Sequence, residues 1–90
     1  MSDKISAVKE IIRYTIDKKK IRHVVGKNIR ALRNCLGLTQ AELAEMTGLS
    51  RASVVNIEQG RQNIVPVQVY QFAFALKCRI TEILPEMEKP

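Results

Sequence analysis

Two sets of helix start and stop signals lie close together in residues 38–60. Thr39 followed three residues later by Glu42 matches a capping box, which predicts a helix that starts directly after the threonine. Gly48 predicts the end of that helix, because glycine adopts the left-handed conformation of a helix end without a steric cost. Ser50 then predicts the N-cap of a second helix. The segment therefore predicts two short helices joined by a tight glycine turn, which is the arrangement of a helix-turn-helix unit.

The second of these helices has a distinctive outward face. We expect Val54 and Ile57 to anchor it to a core, which leaves Arg51, Ala52 and Asn56 on its outer side. Arginine and asparagine can form bidentate hydrogen bonds with guanine and adenine, and the alanine methyl suits the methyl group of thymine. The pattern therefore predicts a helix that enters the major groove of DNA and reads bases through these three side chains.

Several stretches of the chain together match one known family. The run from about 26 to 85 resembles the lambda-repressor-like, or Cro/XRE-type, DNA-binding domain, through stretches 26–33, 37–44, 48–51, 57–61 and 75–76. This resemblance implies an all-α fold, a compact bundle of five helices. The third helix, at about 51–59, would insert into the major groove of a palindromic operator, with the protein acting as a homodimer. We therefore expect a sequence-specific double-stranded DNA-binding transcriptional regulator, a repressor.

The resemblance also implies roles for residues outside the base-reading face. Gln40, at the start of the second helix, is expected to contact a phosphate. Further phosphate contacts are expected from Asn28, Ser50, Ser53, Arg61 and Asn63. Arg33 and Glu58 resemble a buried pair that joins the first helix to the third. Its role would be structural, because such a pair fixes geometry more surely than it adds stability.

The N-terminal part of the chain is an addition to this pattern. Residues 3–20 predict an amphipathic helix, which needs a partner surface because an isolated helix of this length is marginal in water. Its apolar stripe consists of Ile5, Val8, Ile12 and Ile16. Phe74 is a further surplus apolar residue, on a fourth helix whose core stripe is already complete. We expect the stripe and Phe74 to form or support the homodimer contact. In the alternative, the extra helix completes its own domain and the fifth helix forms the dimer.

The chain divides into an N-terminal helical extension at 1–22, a helix-turn-helix domain at 23–85 and a tail at 86–90. Nothing before Gly26 predicts a break, so the extension helix is expected to run into the first helix of the domain with only a bend. The basic cluster 18–23 lies at this junction. It fits either a solvated helix end that suits the helix dipole or a contact with DNA phosphates.

Apolar spacing and end signals predict the remaining helices. The first domain helix is expected from about Arg22 to Cys35, the fourth from Pro66, and Thr81 is expected to cap a short fifth helix. Lys77 stands where the family usually has glycine. Since the left-handed conformation costs lysine about 1 kcal/mol, we expect the fourth helix to end differently here. The core residues expected along the helices are Val25, Ile29, Leu32, Leu36, Leu43, Ala44, Met46, Val69, Phe72, Ala73 and Leu76.

Composition limits the classes of function. The 90 residues suit one small domain, and the net charge of +6 favours a polyanionic partner. No apolar run approaches the ~20 residues of a membrane-spanning helix, so we expect no membrane partner and a cytoplasmic protein. Cys35 and Cys78 are expected to be reduced core residues. We predict no catalysis, no metal and no cofactor, because the residue sets that such sites require are missing.

Two other interpretations remain open. The chain could be an antitoxin or a restriction-modification controller whose N-terminal helix also binds a partner protein. It could instead be a protein-interaction module on the same fold that binds no DNA. Loss of the polar recognition face would indicate such a module, and here that face is intact.

Overall fold

The computed structural model of the chain describes residues 4–7 and 17–86. Residues 4–7 are helical, and five helices follow in the second range. Their bounds are α1 Lys18–Cys35, α2 Gln40–Thr47, α3 Arg51–Glu58, α4 Pro66–Ala75 and α5 Ile80–Ile83. No strand occurs in the two described ranges, and the predicted all-α class with a five-helix domain is confirmed.

The predicted N-terminal stripe falls largely outside the described residues. Ile5 is helical and 58% exposed. Val8, Ile12 and Ile16 lie outside the described ranges, so the packing of this stripe stays a prediction.

The start of α1 differs from the prediction. Asp17 has an extended backbone (φ −116°, ψ 103°), and its carboxylate accepts a hydrogen bond from the Lys20 backbone N–H at 3.1 Å. An aspartate in this geometry is an N-cap, so α1 starts at Lys18 rather than at about Arg22, and the expected uninterrupted run into it is wrong. The lysines of the basic cluster therefore occupy the first turn of a helix, where positive charge opposes the helix dipole. The interpretation that the cluster suits the dipole is also wrong.

The unit formed by α2, the turn and α3 follows the predicted signals. The Glu42 backbone N–H donates to Thr39 Oγ1 at 3.0 Å, and the Thr39 backbone N–H donates to the Glu42 carboxylate at 3.0 Å. Hydrogen bonding from Thr39 to the Glu42 carboxylate, that of the backbone N–H foremost, holds the pKa of Glu42 below its usual range. Gly48 has a left-handed backbone with φ 73°, and Ser50 Oγ accepts a hydrogen bond from the Ser53 backbone N–H at 3.1 Å. Both helix starts and the glycine turn are confirmed.

The five helices of the domain surround one apolar core. Residues from every helix contribute, and Phe72 and Ile29 are the largest of the fully buried side chains. The cluster consists of Val25, Ile29, Leu43, Ala44, Val54, Ile57, Phe72, Ala73, Ala75, Leu76 and Ile83.

Three expected core residues lie at the surface. Leu36 is 46% exposed at the C-cap of α1, one residue past the end of the helix. Met46 is 51% exposed, because the inward position at this end of α2 belongs to Thr47, one turn after Leu43. The Thr47 hydroxyl donates to the Leu43 carbonyl at 2.8 Å, which satisfies this buried polar group. Cys35 is exposed and Cys78 is half-buried, and both are free thiols.

The last two helices begin differently from each other. α4 starts at Pro66 as predicted. α5 starts after Arg79 rather than at Thr81, because the Glu82 carboxylate accepts a hydrogen bond from the Arg79 backbone N–H at 2.7 Å. The predicted threonine cap is therefore wrong, and an acidic side chain reaching back one turn takes its place.

The end of α4 keeps the left-handed geometry that we expected a lysine to avoid. Lys77 has φ 52°, and it is the only non-glycine residue with positive φ in the described part of the chain. The Cys78 backbone N–H donates to the Ala73 carbonyl at 3.0 Å, which is the hydrogen bond of a Schellman-type helix end. The buried Leu76 and Ile83 on either side of this turn hold the chain in place, so packing overrides the local preference.

Candidate nucleic-acid interface

α3 presents the polar face that its sequence predicts. Val54 and Ile57 are 0% and 1% exposed and anchor the helix to the core. Arg51 and Ala52 are exposed and Asn56 is half-exposed, so these three side chains occupy the outer side of the helix. Their placement leaves polar and small groups free to approach a groove.

An ion pair between two helices fixes the orientation of α3. Arg33 Nε and one terminal nitrogen donate to the two carboxylate oxygens of Glu58 at 2.7 and 3.1 Å, which is a bidentate arrangement. The remaining terminal nitrogen of Arg33 donates to the Leu38 carbonyl at 2.8 Å. The Glu58 side chain is 1% exposed, so this buried charge depends on its partners.

Gln40 belongs to the same network. Its Nε2 donates to Glu58 Oε1 at 3.1 Å, so the first residue of α2 contacts the last residue of α3. The network joins α1, α2 and α3 at one end of the recognition helix. The predicted phosphate contact of Gln40 must then come from its second amide hydrogen or from the backbone N–H groups at the start of α2.

A second contact between α1 and α3 is a backbone one. Gly26 is buried within α1, and a Cβ atom built on it would lie 2.5 Å from the carbonyl oxygen of Glu58 and closer still to that of Ile57. Only glycine leaves room for the two helices at this distance. The sequence did not indicate this role, because the close approach depends on how two separate helices cross.

The start of α3 carries two serines that were predicted to contact phosphates. The Oγ atoms of Ser50 and Ser53 lie 3.1 Å apart and are hydrogen-bonded. Ser50 also caps the helix, so its oxygen already accepts the Ser53 backbone N–H. Ser50 is exposed and Ser53 is half-exposed, next to the predicted base readers.

The loop after α3 is held by an arginine of α1. Arg22 Nε donates to the Gly60 carbonyl at 3.3 Å, and its Nη1 donates to Asn63 Oδ1 at 3.4 Å. Arg61 and Asn63 are exposed, as a contact with the DNA backbone requires. The sequence showed Arg22 only as part of a basic cluster, because its partners lie far away along the chain.

Asn28 has a contact that was not predicted. Its Nδ2 donates to the Ile83 carbonyl at 3.0 Å, which joins α1 to α5. One N–H of this amide packs the domain, which leaves the second for a phosphate, so the predicted phosphate contact of Asn28 stays a prediction.

An exposed apolar face lies between α2 and α4. Val67, Tyr70 and Phe74 are 62%, 64% and 89% exposed and follow one another along one side of α4. Met46 of α2 lines the same shallow groove. No residue in the described ranges covers Phe74.

Residues 4–7 and 17–86 hold no group of three or more histidine, cysteine or acidic side chains placed to bind a metal. None of the helices described combines the length and the hydropathy needed to cross a membrane.

The chain is similar to known proteins over most of its length. The helix-turn-helix family model HTH_3 matches residues 29–83. The chain is 35% identical over 71 residues to the HTH-type transcriptional regulator y4dJ of Sinorhizobium fredii, and this alignment covers 78% of the chain and 92% of that protein.

Solved structures agree with the sequence match. The restriction-modification controller protein C.AhdI from Aeromonas hydrophila superposes with a TM-score of 0.68 at 33% identity, over 70% of this chain and 96% of that one. The P22 c2 repressor, in complex with a synthetic operator, superposes with a TM-score of 0.65 at 28% identity, over 68% of this chain and 92% of that one. The chain therefore belongs to the Cro/C1-type helix-turn-helix family.

Proposed function

We propose that this chain is a sequence-specific double-stranded DNA-binding transcriptional regulator that acts as a repressor. The observation that carries the proposal is α3, whose apolar side is buried while Arg51, Ala52 and Asn56 face outward. The helix is tied to α1 and α2 through Glu58, so it can enter a major groove without reorganisation. Family membership and the operator complex of the related P22 c2 repressor support the same function.

Each polar group at this surface has a proposed role. Arg51 and Asn56 form hydrogen bonds with base edges, and the Ala52 methyl contacts a thymine methyl. The groups that contact phosphates are Gln40, Ser50, Ser53, Arg61 and Asn63. Asn28 belongs to this set through its second side-chain N–H, since the first donates to the Ile83 carbonyl.

The regulator acts as a homodimer in this proposal. Phe74 supports the homodimer, because it is 89% exposed and continues an apolar face with Tyr70 and Val67. Exposed apolar groups of this size in a row are typical of a protein–protein contact. The N-terminal stripe that includes Ile5 forms or supports the same contact. Two-fold symmetry would place the two recognition helices about 34 Å apart, one turn of DNA.

Selection of bound duplexes from a random pool tests the DNA-binding proposal. We expect enrichment of a palindromic sequence whose half-sites lie about 10 base pairs apart, centre to centre. Binding to this duplex should weaken steeply with salt, because several phosphates are neutralised. A pool that shows no enriched sequence after repeated selection would contradict the proposal.

Sedimentation of a Phe74→Ser variant tests the dimer proposal. The full-length variant should be monomeric or weakly dimeric at concentrations where the wild type is dimeric. Leu36→Ser is the matched control, because it removes an exposed leucine at the end of α1 and should leave association unchanged. If Phe74→Ser associates as tightly as the wild type, the contact lies elsewhere, and the fifth helix becomes the candidate.

A further inference from the structure

A cluster of positive charge begins α1 outside the helix-turn-helix unit. Lys18, Lys19 and Lys20 form its first turn and all three are exposed. Asp17 is the acidic residue of this segment, and its carboxylate accepts the N-cap hydrogen bond from the Lys20 backbone. The segment from Asp17 to Arg22 therefore carries a strong positive excess beside a single carboxylate.

The fold places this cluster next to the end of the recognition helix. A Cβ atom built on Gly60 would lie 3.3 Å from the Cα atom of His23, so the α3–α4 loop touches the early part of α1. Arg22 fixes the contact through its hydrogen bonds with the Gly60 carbonyl and Asn63. The basic turn and the loop that carries Arg61 thus form one continuous surface.

A hollow of about 430 Å³ lies between the two segments. Its lining includes Lys19, Lys20 and His23 from α1, Gln59 and Gly60 directly after α3, and Asp17, whose carboxylate is engaged at the N-cap of α1. Gln59 is exposed and was not predicted to take part in binding. The hollow is therefore bounded by two lysines, hydrogen-bonding groups and one carboxylate that is engaged as a helix cap, next to the C-terminal end of α3.

The charge at this position opposes local helix stability. Positive side chains in the first turn add to the positive end of the helix dipole, and the single Asp17 carboxylate before that turn offsets only part of their charge. When a sequence departs from a local helix preference in this way, the departure usually lies at a functional site. Lysine ammonium groups and the positive end of the helix dipole together attract an anion more strongly than either alone.

We propose that Lys18, Lys19 and Lys20, together with Gln59 and Arg61, form a basic shelf that binds phosphates flanking the base pairs read by α3. This inference rests on the proposed function and extends it, since the shelf lies outside the helix-turn-helix unit. The shelf contacts the sugar-phosphate backbone, so it increases affinity for any sequence on a duplex long enough to reach it and does not alter the choice of bases. The length of DNA needed for full affinity then exceeds the segment that α3 contacts.

The test compares two variants that each remove two positive charges. Lys19→Gln/Lys20→Gln removes charge from the shelf, and Lys77→Gln/Arg79→Gln removes the same charge from the loop between α4 and α5. Binding to the selected duplex is measured from 50 to 200 mM salt. The shelf variant should flatten the slope of log affinity against log salt by about two, which makes its loss of affinity over this range roughly tenfold smaller than that of the wild type.

Four further results separate this effect from a general loss of charge. The control variant should keep the wild-type slope, and Lys19→Arg/Lys20→Arg should keep it as well. The shelf variant should select the same sequence as the wild type. On a duplex trimmed to the base pairs read by α3, the wild type and the shelf variant should bind alike.

Two outcomes would overturn the proposal. In one, the shelf variant keeps the wild-type slope on the long duplex. In the other, the control variant loses as much as the shelf variant, so that only total charge matters. If the wild type itself prefers no duplex, the proposed function fails first, and this result is distinguishable because it does not depend on either variant.

Discussion

Replacement of Gly26 by alanine tests how α3 is held against α1. The added Cβ would lie well within contact distance of the backbone oxygens of Ile57 and Glu58, neither of which can rotate away. Alanine is favoured over glycine in a helix interior by about 0.5–1 kcal/mol. Insertion of an atom into a filled site costs about 1–3 kcal/mol, and rigid backbone neighbours push this towards the upper end. The net effect should be a loss of about 2 kcal/mol, which lowers the melting temperature by about 10 °C in a domain of this size.

Urea unfolding followed by circular dichroism measures this loss. Ala31→Gly is the matched control, because Ala31 is an exposed residue of the same helix and the exchange reports the propensity difference alone. It should destabilise the domain by about 0.5–1 kcal/mol. Gly26→Ala should also weaken DNA binding, because α3 must shift to make room. A Gly26→Ala variant as stable as the wild type, or more stable, would refute the account of close helix contact.

Two further predictions concern helix ends. Lys77→Gly should stabilise the domain by about 1 kcal/mol, because the left-handed backbone at φ 52° then carries no side-chain penalty, whereas Lys77→Ala should show no such gain in thermal unfolding. The folded state lowers the pKa of Glu42, so the ionised carboxylate stabilises the fold above its unfolded pKa, and this stabilisation is lost as the pH falls through the folded pKa. Glu42→Gln should therefore flatten the fall of the melting temperature at acid pH. Glu45→Gln, on the same helix, is the control, and its melting temperature should fall more steeply with acid than that of Glu42→Gln.

The features that the sequence predicted well are those set by neighbours in the chain. Thr39 and Glu42 satisfy each other's backbone groups within one turn, so the start of α2 could be read directly. Gly48 ends α2 because glycine tolerates a positive φ, and Pro66 starts α4 because its fixed φ suits the first turn of a helix. The outward face of α3 followed from helical spacing once its two anchors had been recognised.

The features that were missed depend on distant contacts or on competing local signals. α1 starts directly after Asp17 although the apolar pattern continues past this residue, because a cap hydrogen bond outweighs periodicity at one position. Lys77 adopts a costly conformation because core residues on both sides fix the turn. The roles of Gly26 and Arg22 come from partners on α3 and its following loop, which no local pattern reveals.

α3 is proposed to read bases through its outer face. A comparison of two alanine variants tests this most directly. On the selected duplex, Asn56→Ala should lose about 1–3 kcal/mol of binding free energy and relax the preference at one or two base pairs. Arg61→Ala should weaken binding to all sequences about equally and flatten the salt dependence, because it contacts the backbone. Gel-shift titrations with single-base variants of the duplex measure both effects. An Asn56→Ala variant with unchanged affinity and unchanged base preference would contradict the account.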